Sequence, residues 1–215
     1  MKLYSFFRSS AAYRVRIALN FKGLGYEYVA KHFRKNGGEH RKPDYLAVNP
    51  QGLIPTLDDA GVVVPQSLAI IEYLEEAYPD TPRLLPQQPA ERAAVRAMSQ
   101  LIACDIHPLN NLRVLNYLKG ELGQSEDTTN VWYRHWIAEG FAALEQSIAK
   151  HTRDSRHCFG GEVTIADVCL VPQVYNARRF QADLTPYPRI GAISAHLESL
   201  APFATARPEA QPDSE

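Results

Sequence analysis

Ser9 and Ser10 stand side by side after Phe7-Arg8, with Ala11-Ala12-Tyr13-Arg14 following. A strand-like run, Leu3 to Phe7, precedes them, and Val15, Ala18, Leu19 and Phe21 follow at helical spacing. Two hydroxyls and at least one backbone N–H therefore meet at a helix start. That end of a helix offers unpaired N–H donors and positive potential, so it stabilises an anion and lowers the pKa of a thiol bound there. The same serines can also act only as N-caps. Ile54-Pro55 joins a loop to a short strand. A trans bond is the default, whereas a cis bond would open the Ile54 backbone to an extended ligand. Gln66-Ser67 precedes a second helical stripe, Leu68, Ile71 and Leu74. That start can hold a carboxylate or merely be capped. Two anion-holding helix starts with a strand edge between them suit a small acidic peptide.

The elements that must position these groups fall into two halves. Pro79, Pro82, Pro86 and Pro89 cluster within eleven positions, which marks a stiff join over about 79–89. Before it, strand-like and helical patterns alternate. Leu3–Phe7 is a strand, Ala12–Lys22 a helix ended by Gly23 and Gly25, and Tyr26–Ala30 a strand. Ile54–Leu57 and Val62–Val64 flank the turn Asp58-Asp59-Ala60-Gly61, and Gln66–Tyr78 is helical. The order predicts a small mixed α/β domain. After the join the pattern is helical throughout: Ala90–Leu118 with a kink at Pro108, Val131–Ile148, a helix from Thr164 to about Phe180, and a last one over 188–200. Thr164-Ile-Ala-Asp167 has capping-box spacing, flanked by Val163 and Val168 as a hydrophobic staple. The polar, proline-containing tail from Pro208 is expected to be loose.

The 215 residues carry 23 basic and 24 acidic side chains, a net charge of −1, so bulk charge does not suggest a nucleic-acid binder. No run approaches the ~18 apolar residues of a membrane span, and the N-terminus lacks a signal-like apolar stretch. The chain is expected to be cytoplasmic. Cys104, Cys158 and Cys169 are odd in number and lack C-x-x-C spacing, so they read as buried free thiols rather than disulfides or zinc ligands.

Three segments carry a resemblance. They are Ser9-Ser10-x-x-Tyr13-Arg14-Val15-Arg16-Ile17-Ala18-Leu19, then Ile54-Pro55-Thr56-Leu57, then Gln66-Ser67-Leu68-Ala69-Ile70-Ile71-Glu72-Tyr73-Leu74. The helical half adds Ile106-His107-Pro108-Leu109-Asn110-Asn111, Asn176-Ala177-Arg178-Arg179-Phe180 and Asp183-Leu184-Thr185-Pro186-Tyr187-Pro188. The chain resembles the glutathione transferase family, and within it the zeta class, from Leu3 to about Pro212. The resemblance implies a thioredoxin-like N-terminal domain over 1–83, an all-α C-terminal domain over 84–215, and a homodimer. It implies bound glutathione, its thiol near Ser9, Ser10 and Ala11. The Ile54 backbone would pair with the cysteinyl part beside a cis Pro55, and Gln66 and Ser67 would hold the γ-glutamyl carboxylate. His40 would make a polar contact, or be a solvated loop histidine. His107, Asn111, Leu112 and Arg113 would close the site from one long helix, unless His107 is satisfied by packing.

The implied activity is glutathione-dependent cis–trans isomerisation of maleylacetoacetate in aromatic amino acid catabolism, with general transferase activity as an accompaniment. Maleylpyruvate, from a gentisate-type pathway, is the alternative substrate. A non-catalytic glutathione-binding protein on the same fold is the alternative class. Both substrates are small unsaturated diacids, so arginines with fork geometry are needed for the carboxylates. Arg8, Arg113 and Arg179 are the candidates, with Arg178 as the solvent-facing alternative and Arg16 read as structural. The family motif usually reads Ser-Ser-Cys. Here Ala11 takes the third position, so no protein thiol accompanies the bound one.

Overall fold

A computed structural model describes all 215 residues. The chain forms two compact units, Met1–Leu84 with Ser199–Glu215, and Leu85–Glu198. In the first, β1 (Lys2–Ser5), α1 (Ser10–Phe21), β2 (Glu27–Ala30), the short α2 (Pro43–Leu46), β3 (Thr56–Asp59), β4 (Val62–Pro65) and α3 (Ser67–Ala77) follow in order. The sheet order is β2-β1-β3-β4, with β1 parallel to β2 and the other pairs antiparallel. This mixed four-stranded sheet is the expected thioredoxin-like arrangement. The parallel pair needs a crossover, and α1 supplies it. Leu3 of β1 and Leu57 of β3 pair in register and are both fully buried.

Glycine ends α1 as its sequence suggested. Gly23 takes φ +68, its N–H bonds the Asn20 carbonyl, and the Leu24 N–H bonds that of Leu19, which closes the last turn. Just beyond, the Lys22 ammonium is buried against Glu75 of α3 at 2.6 Å and also donates to Thr81 Oγ1 and the Pro82 carbonyl. A buried charge needs such partners, and here they tie α1, α3 and the proline-rich segment together.

The second unit holds α4 (Pro89–Gln100), α5 (Leu112–Gly120), α6 (Glu126–His151), α7 (Ile165–Arg179) and α8 (Pro188–Glu198). The helix expected over 90–118 is not continuous. After Gln100 the chain widens into a π-type turn, Leu101–Ile106, then tightens into a 3₁₀ turn, Pro108–Asn110, before α5 begins. Pro108 has no N–H and crowds the preceding turn, so the regular ladder stops there instead of merely kinking. The π-type turn presses Ile106 against Gly140 of α6, where a Cβ would overlap the Ile106 side chain. Ile106 is itself buried and has nowhere to retreat. Gly140→Ala should therefore destabilise the protein by about 1–3 kcal/mol, against the ~1 kcal/mol that alanine's helix propensity contributes the other way. Urea unfolding checks the sign.

The capping box on α7 is present. The fully buried Asp167 carboxylate accepts from the Thr164 N–H (2.7 Å), the Thr164 hydroxyl (2.8 Å) and the Cys158 N–H (2.7 Å). Val163 and Val168 are both buried, as a staple requires. All three cysteines are free. Cys158 and Cys169 are buried, but Cys104 is exposed, because it lies on the outward side of the π-type turn.

The tail departs from expectation. A further helix, α9 (Ala201–Ala206), and a 3₁₀ turn, Pro208–Ala210, return the chain to the first unit. Composition suggested looseness, yet Gln211, Asp213 and Glu215 each have a specific partner. The buried Gln211 amide donates to the Thr205 and Arg207 carbonyls, both at 2.9 Å. Glu215 pairs with Lys35 at 2.8 Å.

Candidate active site

The first unit gathers its predicted residues around the start of α1. Ser9 is the N-cap. Its backbone is extended (φ −68°, ψ 115°), and its Oγ accepts the Ala12 N–H at 3.2 Å. A hydroxyl has one proton to give, so Ser9, half-buried, retains a donor while its oxygen is occupied. Ser10 is buried at 6% exposure inside the first turn, and Ala11 is half-buried. The Arg8 guanidinium lies over the Phe7 ring, 4.9 Å from its centroid.

Packing brings the other groups to this point. Phe6, Phe7, Ala12, Tyr45 and Ile54 form one apolar cluster with Phe33 against it. Ile54-Pro55 is cis. The carbonyl before it, that of Leu53, accepts from Tyr45 Oη (2.6 Å) and Asn49 Nδ2 (2.9 Å), and both side chains also reach Thr56 Oγ1. This network behind the cis bond was missed in the sequence. Its only trace there is the i, i+4 spacing of Tyr45 and Asn49.

The start of α3 is unusual. Gln66, exposed, takes φ +70°, a region that costs a non-glycine residue about 1–3 kcal/mol and that persists mostly at functional positions. Its amide donates to Gln51 Oε1 at 2.8 Å. Ser67 follows, buried, and its Oγ accepts from Arg14 Nη1 at 3.3 Å. Arg14, almost fully buried on α1, thus ties one helix start to the other, a role its sequence position did not reveal.

His40 is not a solvated loop residue. It is 9% exposed, its ring stands edge-on to Phe33, and the His32 backbone bonds it, while Nδ1 has no protein partner. Burial first, and then the Arg41 charge, hold its pKa below the ordinary 6.5, so it is neutral at pH 7. The unfolded chain binds that proton more readily, so stability should fall as pH drops through about 6.5 and level off below the folded value. A histidine NMR titration should place its midpoint below 6.5, and a His40→Asn variant should lose this part of the pH dependence.

The remaining predicted residues belong to the second unit. His107 sits half-buried where the π-type turn gives way to the 3₁₀ turn. Asn111 caps α5, its Oδ1 taking the Arg113 N–H at 3.1 Å, and Leu112 and Arg113 are exposed. They flank a break, not one long helix. Arg179 ends α7 and lines a cavity of about 250 Å³ with Glu126, Asn130, Arg134, Phe180 and Gln181. Arg178 instead pairs with Glu198 at 2.6 Å. Tyr133 of α6 links the two places, stacking on Phe180 while its carbonyl accepts from Asn110. Arg134 is the cavity residue that sequence patterning missed, since a charge on a helix face normally reads as solvated.

Residues 3–82 match the family model described as glutathione S-transferase, N-terminal domain. A probable maleylacetoacetate isomerase of Vibrio cholerae is 52% identical, over 98% of this chain and 97% of its own length. The holo structure of a maleyl pyruvate isomerase, described as a bacterial glutathione S-transferase in the zeta class, superposes with a TM-score of 0.96 at 51% identity, covering both chains completely. A maleylacetoacetate isomerase from Anaeromyxobacter dehalogenans, solved with dicarboxyethyl glutathione and citrate in its active site, is 38% identical with a TM-score of 0.85, over 100% of this chain and 97% of the other. With half its residues shared along the full length and the same fold in both parts, the chain belongs to the zeta class of the glutathione S-transferase family.

Proposed function

We propose that this chain is a glutathione-dependent cis–trans isomerase that converts maleylacetoacetate to fumarylacetoacetate. The observation that carries the reading is the half-buried Ser9 cap at the start of α1, with a donor to spare, on a turn whose neighbours Phe7 and Ala12 pack in one cluster with Ile54 of the cis Ile54-Pro55 bond. Maleylpyruvate is the second reading, favoured by the 51% identity to a maleyl pyruvate isomerase.

The residues fit glutathione. A tripeptide with a thiol and two carboxylates needs an anion-stabilising helix start, a stretch of backbone to pair with and a second helix start; the start of α1, the Ile54 segment ahead of β3 and the start of α3 suit these needs. When bound, glutathione supplies a thiolate that adds to the cis double bond, allows rotation about the resulting single bond, and leaves. Ser9 donates its hydroxyl proton towards the sulfur, and the α1 N-terminus adds its positive potential. Ala11 offers no competing thiol. The Ile54 backbone pairs with the extended peptide, and Ser67, fixed by Arg14, holds a carboxylate with the Gln66 turn. Neutral His40 has Nδ1 left for a polar contact. For a substrate carboxylate we assign the forked guanidinium of Arg8, beside the start of α1; Arg179 enters through the family resemblance. His107, Asn111 and Arg113 enter through the family resemblance alone. The dicarboxyethyl glutathione of the A. dehalogenans relative is a thioether between that sulfur and a diacid chain, the kind of bond this chemistry makes and breaks.

The first unit is accordingly the glutathione-binding domain. The edge strand β4 exposes Val62 and Val63, which supply an apolar edge for a second copy in a homodimer. Three free cysteines suit the reducing cytoplasm, and no helix is long and apolar enough to cross a membrane.

Purified protein should be offered each substrate, with and without glutathione, with a coupled fumaryl-product hydrolase. Glutathione-dependent turnover of maleylacetoacetate well above maleylpyruvate is the expected result. The reverse preference would move the assignment to maleylpyruvate. No turnover of either, with glutathione bound, would leave only a binding protein.

A further inference from the structure

The end of the chain closes behind the turn that presents Ser9. Two residues before Ser9, the Phe7 peptide is held at both of its polar groups. Its N–H donates to Asp213 Oδ2 at 3.1 Å, and its carbonyl accepts from Arg16 Nη2 at 2.9 Å. β1 ends at Ser5 and α1 starts at Ser10, so neither ladder supplies an acceptor for that N–H. The tail carboxylate does. Asp213 is itself aimed, because its Oδ1 accepts the Tyr28 hydroxyl at 2.6 Å. Arg16 completes the frame. Fully buried on α1, it donates to the Ser5 hydroxyl and the Phe6 carbonyl at one end and to the Ala206 carbonyl of α9 at the other.

We propose that Asp213 is a positioning residue for thiol activation: it fixes the Phe7 peptide, and through it the orientation of the Ser9 hydroxyl. This rests on the reading of Ser9 given above. The tail is built for the task. Gln211 is pinned on one side of Asp213 through its two carbonyl acceptors, and Glu215 is held on the other by Lys35. Pro212 stiffens the intervening residue. The carboxylate is therefore presented on a short arm anchored at both ends, with little entropy left to lose. A catalytic hydroxyl is sensitive to such support, since a displacement of about 1 Å can cost on the order of 100-fold in rate.

Asp213→Ala and Asp213→Asn should be compared with the wild type for kcat, for KM of both substrates, and for the pKa of the bound glutathione thiol, read from thiolate absorbance. Asp213→Ala should lower kcat about tenfold or more and raise the thiol pKa, with KM for the diacid nearly unchanged. Asp213→Asn keeps an oxygen for the Phe7 N–H and should recover most of the activity. A folded Asp213→Ala protein with wild-type kcat and thiol pKa would overturn the proposal. So would an Asp213→Asn protein as impaired as Asp213→Ala, because charge rather than the Phe7 contact would then be at work. Should Asp213→Ala fail to fold, Tyr28→Phe removes one hydroxyl that aims the carboxylate. It should shift kcat and thiol pKa in the same direction by less, and no shift would count against the proposal. A wild-type protein that binds glutathione without lowering its thiol pKa would instead bring down the Ser9 reading itself.

Discussion

Ser9→Ala should lower kcat/KM about 100-fold, whereas Ser10→Ala should lower it by less than about fivefold. The two serines are adjacent in sequence but differ in what the structure leaves them to do. Ser9 is the cap, half-buried, with its oxygen engaged by the Ala12 N–H and its proton free to point away from the helix. Ser10 is folded into the first turn and buried. A donor aimed at developing or resident negative charge in a low-dielectric site contributes about 2.7–4 kcal/mol to the transition state, which is the origin of the 100-fold figure. Ser9→Ala also removes a cap, which costs about 1 kcal/mol of helix stability. That part is separable. Glutathione affinity measured at about pH 6, where the bound sulfur is still mostly protonated, should change by less than about threefold, because the hydroxyl acts on the ionised sulfur more than on the tripeptide. Steady-state kinetics with a glutathione binding titration test this. A Ser10→Ala defect larger than that of Ser9→Ala would reverse the assignment.

The second large effect is on stability. Asp167→Ala should destabilise the protein by about 3–5 kcal/mol, with Thr164→Ala costing about 1 kcal/mol. The Asp167 carboxylate accepts three hydrogen bonds, two from Thr164 and one from the Cys158 N–H, and it is fully buried. Its loss strands two backbone N–H groups where water does not reach, and each carries a desolvation cost of about 1–3 kcal/mol. α7 is the helix most enclosed in the second unit, so it has no exposed face on which to relax. Urea unfolding with an unchanged m value would show the loss as one of stability. A change below about 1 kcal/mol would mean that the N–H groups find other acceptors.

Much of this was legible in the sequence, and the failures have identifiable causes. The capping box could be read because Thr164, Asp167 and the flanking valines interact within five residues. The α1 C-terminus could be read because Gly23 needs no distant partner to take φ +68. The break at Pro108 was half-read: a proline forbids one hydrogen bond, but whether the helix kinks or stops depends on packing such as that of Ile106 on Gly140. The tail was misread because its acceptors and donors, Phe7, Tyr28, Lys35 and the carbonyls of Thr205 and Arg207, are mostly distant in sequence. At the candidate site, family motifs pointed to Ser9, Ile54-Pro55 and Ser67, while the supports behind them did not show. Arg14 on Ser67 and Tyr45 on Leu53 are polar contacts set by tertiary approach, which carry no periodic signal.

The role of Ser9 and the α1 N-terminus is tested most directly by the ionisation of bound glutathione. Thiolate absorbance followed against pH in the binary complex should give a thiol pKa lowered from about 8.5 for a free thiol to about 6.5, rising back in Ser9→Ala. A bound thiol that titrates at its free value in the wild-type protein would contradict the assignment of Ser9 and the start of α1 as the device that makes the nucleophile.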